Sequence, residues 1–158
     1  MTAKYTVLGN TTLATTSASV TFSPIPGGYK DLVLVVNGGV TSNFQFRVRF
    51  NGDTGANYSY VQMYGEPNGA GSDSNTLDHI RVVFGDSSNK GMATLEVMDY
   101  SDTSKHKTVL AREVGNSESY LVARASRWAN NSAITSMQII PHAGSLQTGT
   151  TFRLLGVN

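Results

Sequence analysis

The sequence contains no cysteine, which excludes a disulfide framework and a thiolate metal site and says nothing of redox compartment. Its apolar runs are short. None approaches the roughly 20 residues that a bilayer-crossing helix needs, and the opening MTAKYTVLGN has no apolar signal core. These absences lead us to expect no membrane partner and synthesis in the cytoplasm without an export signal. Charge is scarce as well. Charged residues make up 15% of the chain, against about a quarter in ordinary soluble domains. With Lys+Arg 12 and Asp+Glu 11 the formal net charge is +1. The basic residues are scattered along the sequence, so no nucleic-acid partner is expected, because that needs a clustered basic face. Neither a Walker motif nor GxGxxG occurs, and no segment carries a convincing 3.6-residue apolar stripe, so a phosphate-holding loop at a helix start is excluded. Ala125 to Ala129 offer at most one helical turn.

Ser, Thr, Asn and Gly fill the space left by charge, giving a neutral polar surface suited to lateral packing or sugar contact. The dominant pattern is period two. Phe44, Phe46, Val48 and Phe50 alternate with Gln45, Arg47 and Arg49, which in a strand puts one set inside and the other in water. DLVLVVN (31–37) is apolar on both parities and reads as a central strand covered on both sides, or as one at a partner contact. TVL near the start, SVTFS, NYSYVQMY, HIRVVF, MATLEVMD, HKTVLAREV, SYLVARAS, ITSMQII and TFRLLGV are further short segments bounded by Gly, Asn, Asp or Pro. The expectation is an all-β chain of about ten short strands, folded over residues 1–158 as a single antiparallel β-sandwich. A jelly-roll-like order is preferred over other Greek-key sandwiches. SPIPGGYKD reads as a rigid corner because Pro24 and Pro26 fix φ and donate no hydrogen bond. GEPNGAGSDSNTLD (65–78) reads as a long glycine-rich loop, ordered by a neighbouring subunit or mobile, of the kind that is usually functional.

No catalytic constellation assembles from the motifs. GNSES (115–119) begins like a nucleophile elbow but lacks the closing glycine and precedes a strand, so a turn is the better reading. His79, His106 and His142 stand far apart in three segments and make a poor zinc set. Asp99 and Asp102 in DYSDTSKHK share one turn, where Asp bonds nearby amides, with a polar contact surface as the functional alternative. Arg47 and Arg49 on one wet face read as a solvated strand face, or as partners for acidic groups on a neighbour. The single tryptophan, Trp128, is either a core residue whose indole N–H finds one partner, or a sugar platform or subunit anchor. The loop RFNGDTGANYSY places oxygen ligands at alternate positions next to glycine. An EF-hand needs glycine at the sixth position and glutamate at the twelfth. Counted from Asn51, Ala56 and Gln62 stand there, and Asp53 alone brings charge. The loop therefore reads as a corner, with Gly52 and Gly55 at positive φ and Asn51, Asp53 and Asn57 capping amides. A weak calcium site across Asn51–Asn57 is the alternative. No cofactor and no tight metal site is expected.

Four stretches in order, SVTFSPIPGGYKDLVLVV, RFNGDTGANYSYVQMYG, VMDYSDTSKHKTV and RWANNSAITSMQIIPHAGSLQTGTTFRLLGV, resemble a group of tailed-bacteriophage virion proteins. Their shared pattern is a proline corner before a Y-x-x-L strand, an FN-D-x-G-x-NYS loop, a DY-x-x-x-x-K-K-T segment and a closing Leu-Tyr-Gly-Ile. Here the last is Leu154-Leu155-Gly156-Val157. The resemblance covers nearly the whole chain. It implies a jelly-roll sandwich, commonly trimeric, with no enzyme activity and no cofactor. It implies a capsid cement, or head decoration, protein that binds the major capsid protein on the outer capsid surface of the virion and bridges capsomers. The alternative is a tail-fibre or tail-associated module that recognises host glycans. Candidate partner contacts are Leu32, Leu34 and Val36 in the both-parity strand, Arg47 and Arg49, Asp53 and Asn57 in the corner, Glu66 and Asp73 in the long loop, and Trp128.

Overall fold

The computed structural model describes residues 4–66, 68–115 and 121–158, which contain strands and turns but no helix. Twelve strands follow one another: β1 (Tyr5–Thr12), β2 (Val20–Phe22), β3 (Asp31–Gly38), β4 (Val40–Phe50), β5 (Tyr58–Glu66), β6 (Gly69–Leu77), β7 (Ile80–Val83), β8 (Gly91–Met98), β9 (Lys107–Val114), β10 (Leu121–Trp128), β11 (Met137–Leu146) and β12 (Thr151–Val157). They form an eight-stranded sheet, β1-β12-β3-β8-β9-β10-β5-β6, and a four-stranded sheet, β2-β11-β4-β7. All the strand pairs within the two sheets are antiparallel. Counting the meander β8–β10 as one unit, β2-β11-β4-β7 facing β3-(β8–β10)-β5-β6 is the eight-strand jelly-roll order. β1 and β12 extend the larger sheet beside β3.

The alternation read in the sequence becomes burial. Phe46, Val48 and Phe50 on β4 are fully buried, as are Leu32, Leu34 and Val36 on β3 and Phe152 and Leu154 on β12. Together with Ile139 and Met137 of β11 they fill the space between the sheets. β3 corrects one expectation. It is central in its sheet, between β12 and β8, but only one face is covered. Leu32, Leu34 and Val36 point inward and are unavailable to a partner, whereas Val33 and Val35 stay half-exposed on the other side.

The chain leaves the large sheet for the small one between β3 and β4, at Gly38 and Gly39. Gly38 has a φ of 145°, and a Cβ there would lie 2.4 Å from Thr150 Oγ1. That hydroxyl spans the crossing, accepting from Gly39 N and donating to Gly39 O, both at 3.2 Å. The proline corner is present before β3, with a cis Ser23–Pro24 bond.

Two segments differ from expectation. Residues 69–77, read as part of a loop, form β6, paired with β5 from Tyr58↔Leu77 to Glu66↔Gly69. Their sequence shows no apolar alternation because an edge strand overhanging the smaller sheet has little core to cover. Ala125 lies in strand β10 rather than in a helical turn.

Candidate functional site

Three regions carry the residues singled out above. The first is the corner after β4. Asn51 adopts a φ of 52° and Gly52 one of 68°, whereas Gly55 stays out of the left-handed region. Gly55 is required for space instead, since a Cβ would come within 2.8 Å of Asn57 Nδ2. Asn51 reaches across to residues 133–136. It donates to Ala133 O at 2.8 Å and accepts from Thr135 N at 2.9 Å and Ser136 N at 3.1 Å. Asp53 accepts from Gly55 N at 2.8 Å and from Asn57 Nδ2 at 3.0 Å, and its Oδ2 also takes the indole N–H of Trp128 at 2.7 Å. Its carboxylate is thus engaged by N–H donors. Burial works to raise its pKa, but these donors outweigh it and hold it below the usual range. Among the described residues no group of three His, Asp or Glu converges as a metal site would.

Trp128 is 1% exposed. It stacks on Tyr58 with ring centroids 6.3 Å apart and tilts against Phe50 at 5.5 Å. As a sugar platform or partner anchor it is therefore corrected to a core residue with one polar partner. The Tyr58 hydroxyl accepts from Phe50 N at 3.1 Å, and burial pushes its pKa to about 12. Beside Trp128 lies Lys107, also fully buried. Its ammonium donates to the carbonyls of Asp102, Lys105 and Asn131 at 2.5, 2.9 and 3.2 Å. The Asp99–Asp102 turn is held by Lys105, 2.6 Å from Asp99 Oδ2. Nothing in the sequence spacing marked Lys107 as a buried cation tying two loops together. Alternation places it on the inner face of β9, where a lysine looks misplaced until the carbonyls are seen.

The second region is the inner layer where β9, β10 and β5 pass the edge of the small sheet. The core turns polar there. Glu113 and Arg124, both solvent-inaccessible, form a two-pronged pair at 2.9 and 3.1 Å. Glu113 Oε2 also accepts Val83 N at 2.7 Å, which ties β9 to β7 across the sandwich. The Arg124 guanidinium lies 4.7 Å over the Tyr60 ring. The Tyr60 hydroxyl donates to Asp73 on β6 at 3.0 Å. Glu66, at the end of β5, is exposed.

The third region is the outer face of the eight-stranded sheet. On a solvent-facing sheet this parity is normally polar. Here Val61 and Met63 of β5 are 60% and 67% exposed and Leu121 of β10 is 56% exposed. Ala123 lies between Met63 and Arg112 in register. Val114 and Leu110 of β9 and Met92 of β8 continue the surface, and Tyr5 and Val7 of β1 end it. Met63, Met92, Val114, Leu121 and Ala123, together with Thr94 and Arg112, line a shallow open depression of about 510 Å³. The sequence showed the alternation of these strands. It did not show that their outward parity is as apolar as it is, because each strand contributes only one or two such residues.

The histidines do not meet at a common centre. His79 donates from Nδ1 to Asp78 at 2.6 Å, and His142 faces Arg47. Asn116, Ser117, Glu118 and Ser119 of the elbow-like motif lie outside the described residues.

No family model matches the chain, and no curated protein matches it. Among solved structures, the galectin LEC-6 of Caenorhabditis elegans is similar over 94% of this chain and 95% of its own, at 10% identity and a TM-score of 0.39. An exo-inulinase from Aspergillus awamori is similar over 98% of this chain and 29% of its own, at 11% identity and a TM-score of 0.42. Lactose- and MES-liganded congerin II is similar over 89% of this chain and 99% of its own, at 14% identity and a TM-score of 0.38.

Proposed function

We propose that this chain is a cement protein of a tailed bacteriophage, bound to the outer capsid surface, where it bridges neighbouring capsomers as a homotrimer. The observation that carries this reading is the apolar outer face of the eight-stranded sheet. Exposed apolar side chains gathered on one face mark a macromolecular contact, with Arg112 and Arg127 standing among them as polar contacts, and a face spread over many strands suits lateral packing more than capture of a small ligand. The order of motifs along the sequence supports the same reading. A cement protein stabilises a shell by repeating modest contacts many times, so that weak individual sites act together. The inward residues Leu32, Leu34 and Val36 have no part in this; the outward Val61, Met63 and Leu121 take their place. Glycan recognition on a Trp128 platform has no exposed ring to offer.

Purified protein added back to capsids that lack it provides the test. Wild type is expected to bind in saturable fashion and to raise the temperature at which the shells open. Met63→Glu with Leu121→Glu is expected to remove both effects while leaving the circular dichroism and unfolding midpoint of the free protein in place. Binding at wild-type level by that variant, or density for the chain at the tail tip alone, would overturn the reading.

A further inference from the structure

The four-stranded sheet has an outer face of a different character. Arg47 on β4 lies directly opposite Arg81 on β7, and Arg49 follows two residues along the same strand. Like charges facing each other across a pair of strands destabilise it. Among the described residues the one carboxylate in salt-bridge contact with these arginines is Asp78, and it is committed to Arg49: it accepts from the Arg49 side chain with Oδ2, while its main-chain oxygen takes Arg49 Nε at 3.2 Å. Arg47 is met by a neutral group instead, His142 Nδ1 at 2.9 Å. Since a guanidinium only donates, that ring nitrogen accepts, and the imidazole carries its proton on Nε2. Arg81 donates to the Tyr60 hydroxyl at 3.4 Å, which in turn donates to Asp73, and its charge also favours the buried Glu113 carboxylate. The Nε atoms of Arg47 and Arg81 are closed off from solvent and have no partner, and neither residue forms a salt bridge among the described residues, so the terminal guanidinium nitrogens are the ones left for an incoming group.

We propose that the Arg47–Arg81 face of the small sheet is a docking surface for an acidic protein segment, whose carboxylates bridge the two guanidiniums. A carboxylate matches the planar fork of an arginine with two parallel hydrogen bonds, and one placed between Arg47 and Arg81 converts a repulsive cross-strand pair into a bridged one. The cluster is compact and the rest of the chain is nearly neutral, at +1 overall. Tracking a phosphate backbone needs a longer basic stripe, so a short acidic peptide is the better fit. His142 stands beside the bridge as an exposed base whose pKa is pushed down by burial first, then by Arg47 and Arg81. An arriving carboxylate reverses that influence, so docking and proton uptake at His142 are coupled. This inference stands independently of the capsid reading, because it uses the opposite face of the sandwich.

The full chain titrated with a glutamate-rich decapeptide at low salt, followed by calorimetry and by the imidazole resonances of His142, tests it. Saturable binding is expected, at least tenfold weaker in Arg47→Gln and in Arg81→Gln and unchanged in Arg153→Gln on the other sheet. The His142 pKa is expected to rise when the peptide is bound. Unfolding midpoints of both variants, measured alongside the titrations, separate weaker binding from loss of folded protein. Absence of binding, equal binding by all variants, or tighter binding of a ten-residue oligothymidylate than of the peptide would each overturn the proposal.

Discussion

The indole N–H of Trp128, at the end of β10, donates to Oδ2 of Asp53 across 75 residues of sequence at 2.7 Å. This bond fixes the β4–β5 corner against the core, because Asp53 simultaneously shapes the corner through Gly55 N and Asn57. Asp53→Ala leaves the indole N–H without its partner at the core boundary, and a lost hydrogen bond of that kind costs about 1–3 kcal/mol. Trp128→Phe removes the same bond from the other side and is expected to cost at least as much, since packing against Tyr58 and Phe50 is lost too. Urea unfolding followed by circular dichroism gives the values; in Asp53→Ala the fluorescence of the single tryptophan reports the corner directly.

The buried Glu113–Arg124 pair should behave asymmetrically. Arg124→Met alone strands a carboxylate in the core and is expected to cost about 3–5 kcal/mol, whereas replacing both groups together by apolar residues of similar size should recover part of the loss, the remainder being the Val83 N–H that then lacks its acceptor. A double-mutant cycle on Glu113→Leu and Arg124→Met checks this. Additive losses would show that the two groups do not act as a unit.

Acid should weaken the fold once pH falls below the ordinary carboxylate range. Burial alone would raise the pKa of Asp78, but the hydrogen bonds from His79 and Arg49 pull it down to about 2. The unfolded chain therefore binds this proton more readily than the folded one between the ordinary carboxylate range and about pH 2. The stabilisation is complete above that window and is lost as pH falls through it. Unfolding midpoints measured from pH 6 to pH 2 should drop, and Asp78→Asn should flatten the drop. Asp53, also held below its ordinary value, adds to the slope in wild type.

β6 is an edge strand, and edges invite pairing with other chains. Two of its amides are already taken by the side chain that precedes each: Ser74 N donates to Asp73 Oδ1 at 2.7 Å and Thr76 N to Asn75 Oδ1 at 2.8 Å. Asp73 and Asn75 thus close part of the edge. Asp73→Ala with Asn75→Ala is expected to leave the chain folded and to promote association beyond that of wild type at the same concentration, detectable by sedimentation.

The fold was legible where side chains repeat with period two against a core. Phe46, Val48 and Phe50 announced β4, and the inward residues of β8, β9 and β12 did the same for theirs. β6 was not legible, because GAGSDSNTL has nothing to bury and is a strand only through β5. The corner at Asn51–Asn57 was readable from its turn chemistry, but the partner that commits Asp53 stands far away at Trp128. Partner residues suffered most. Leu32, Leu34 and Val36 looked available because the strand is apolar on both parities, and only the opposing sheet decides which parity is covered. The arginine face was hidden for a related reason: Arg47 and Arg81 are 34 positions apart in the sequence and become neighbours through a strand pairing.

β12 lies between β1 and β3, inside the larger sheet rather than at its rim. Residues 151–157 therefore hydrogen-bond on both sides to segments made more than a hundred positions earlier, from Thr12↔Thr151 on one flank to Asp31↔Val157 on the other. A growing chain that has not yet released this strand holds β1 and β3 apart with unfilled edges. Closure waits on long-range pairing, which is slow, and during that interval the exposed edges are the part of the molecule most open to mispairing. Pairing of β12 is thus the step that joins β1 to the rest of the larger sheet.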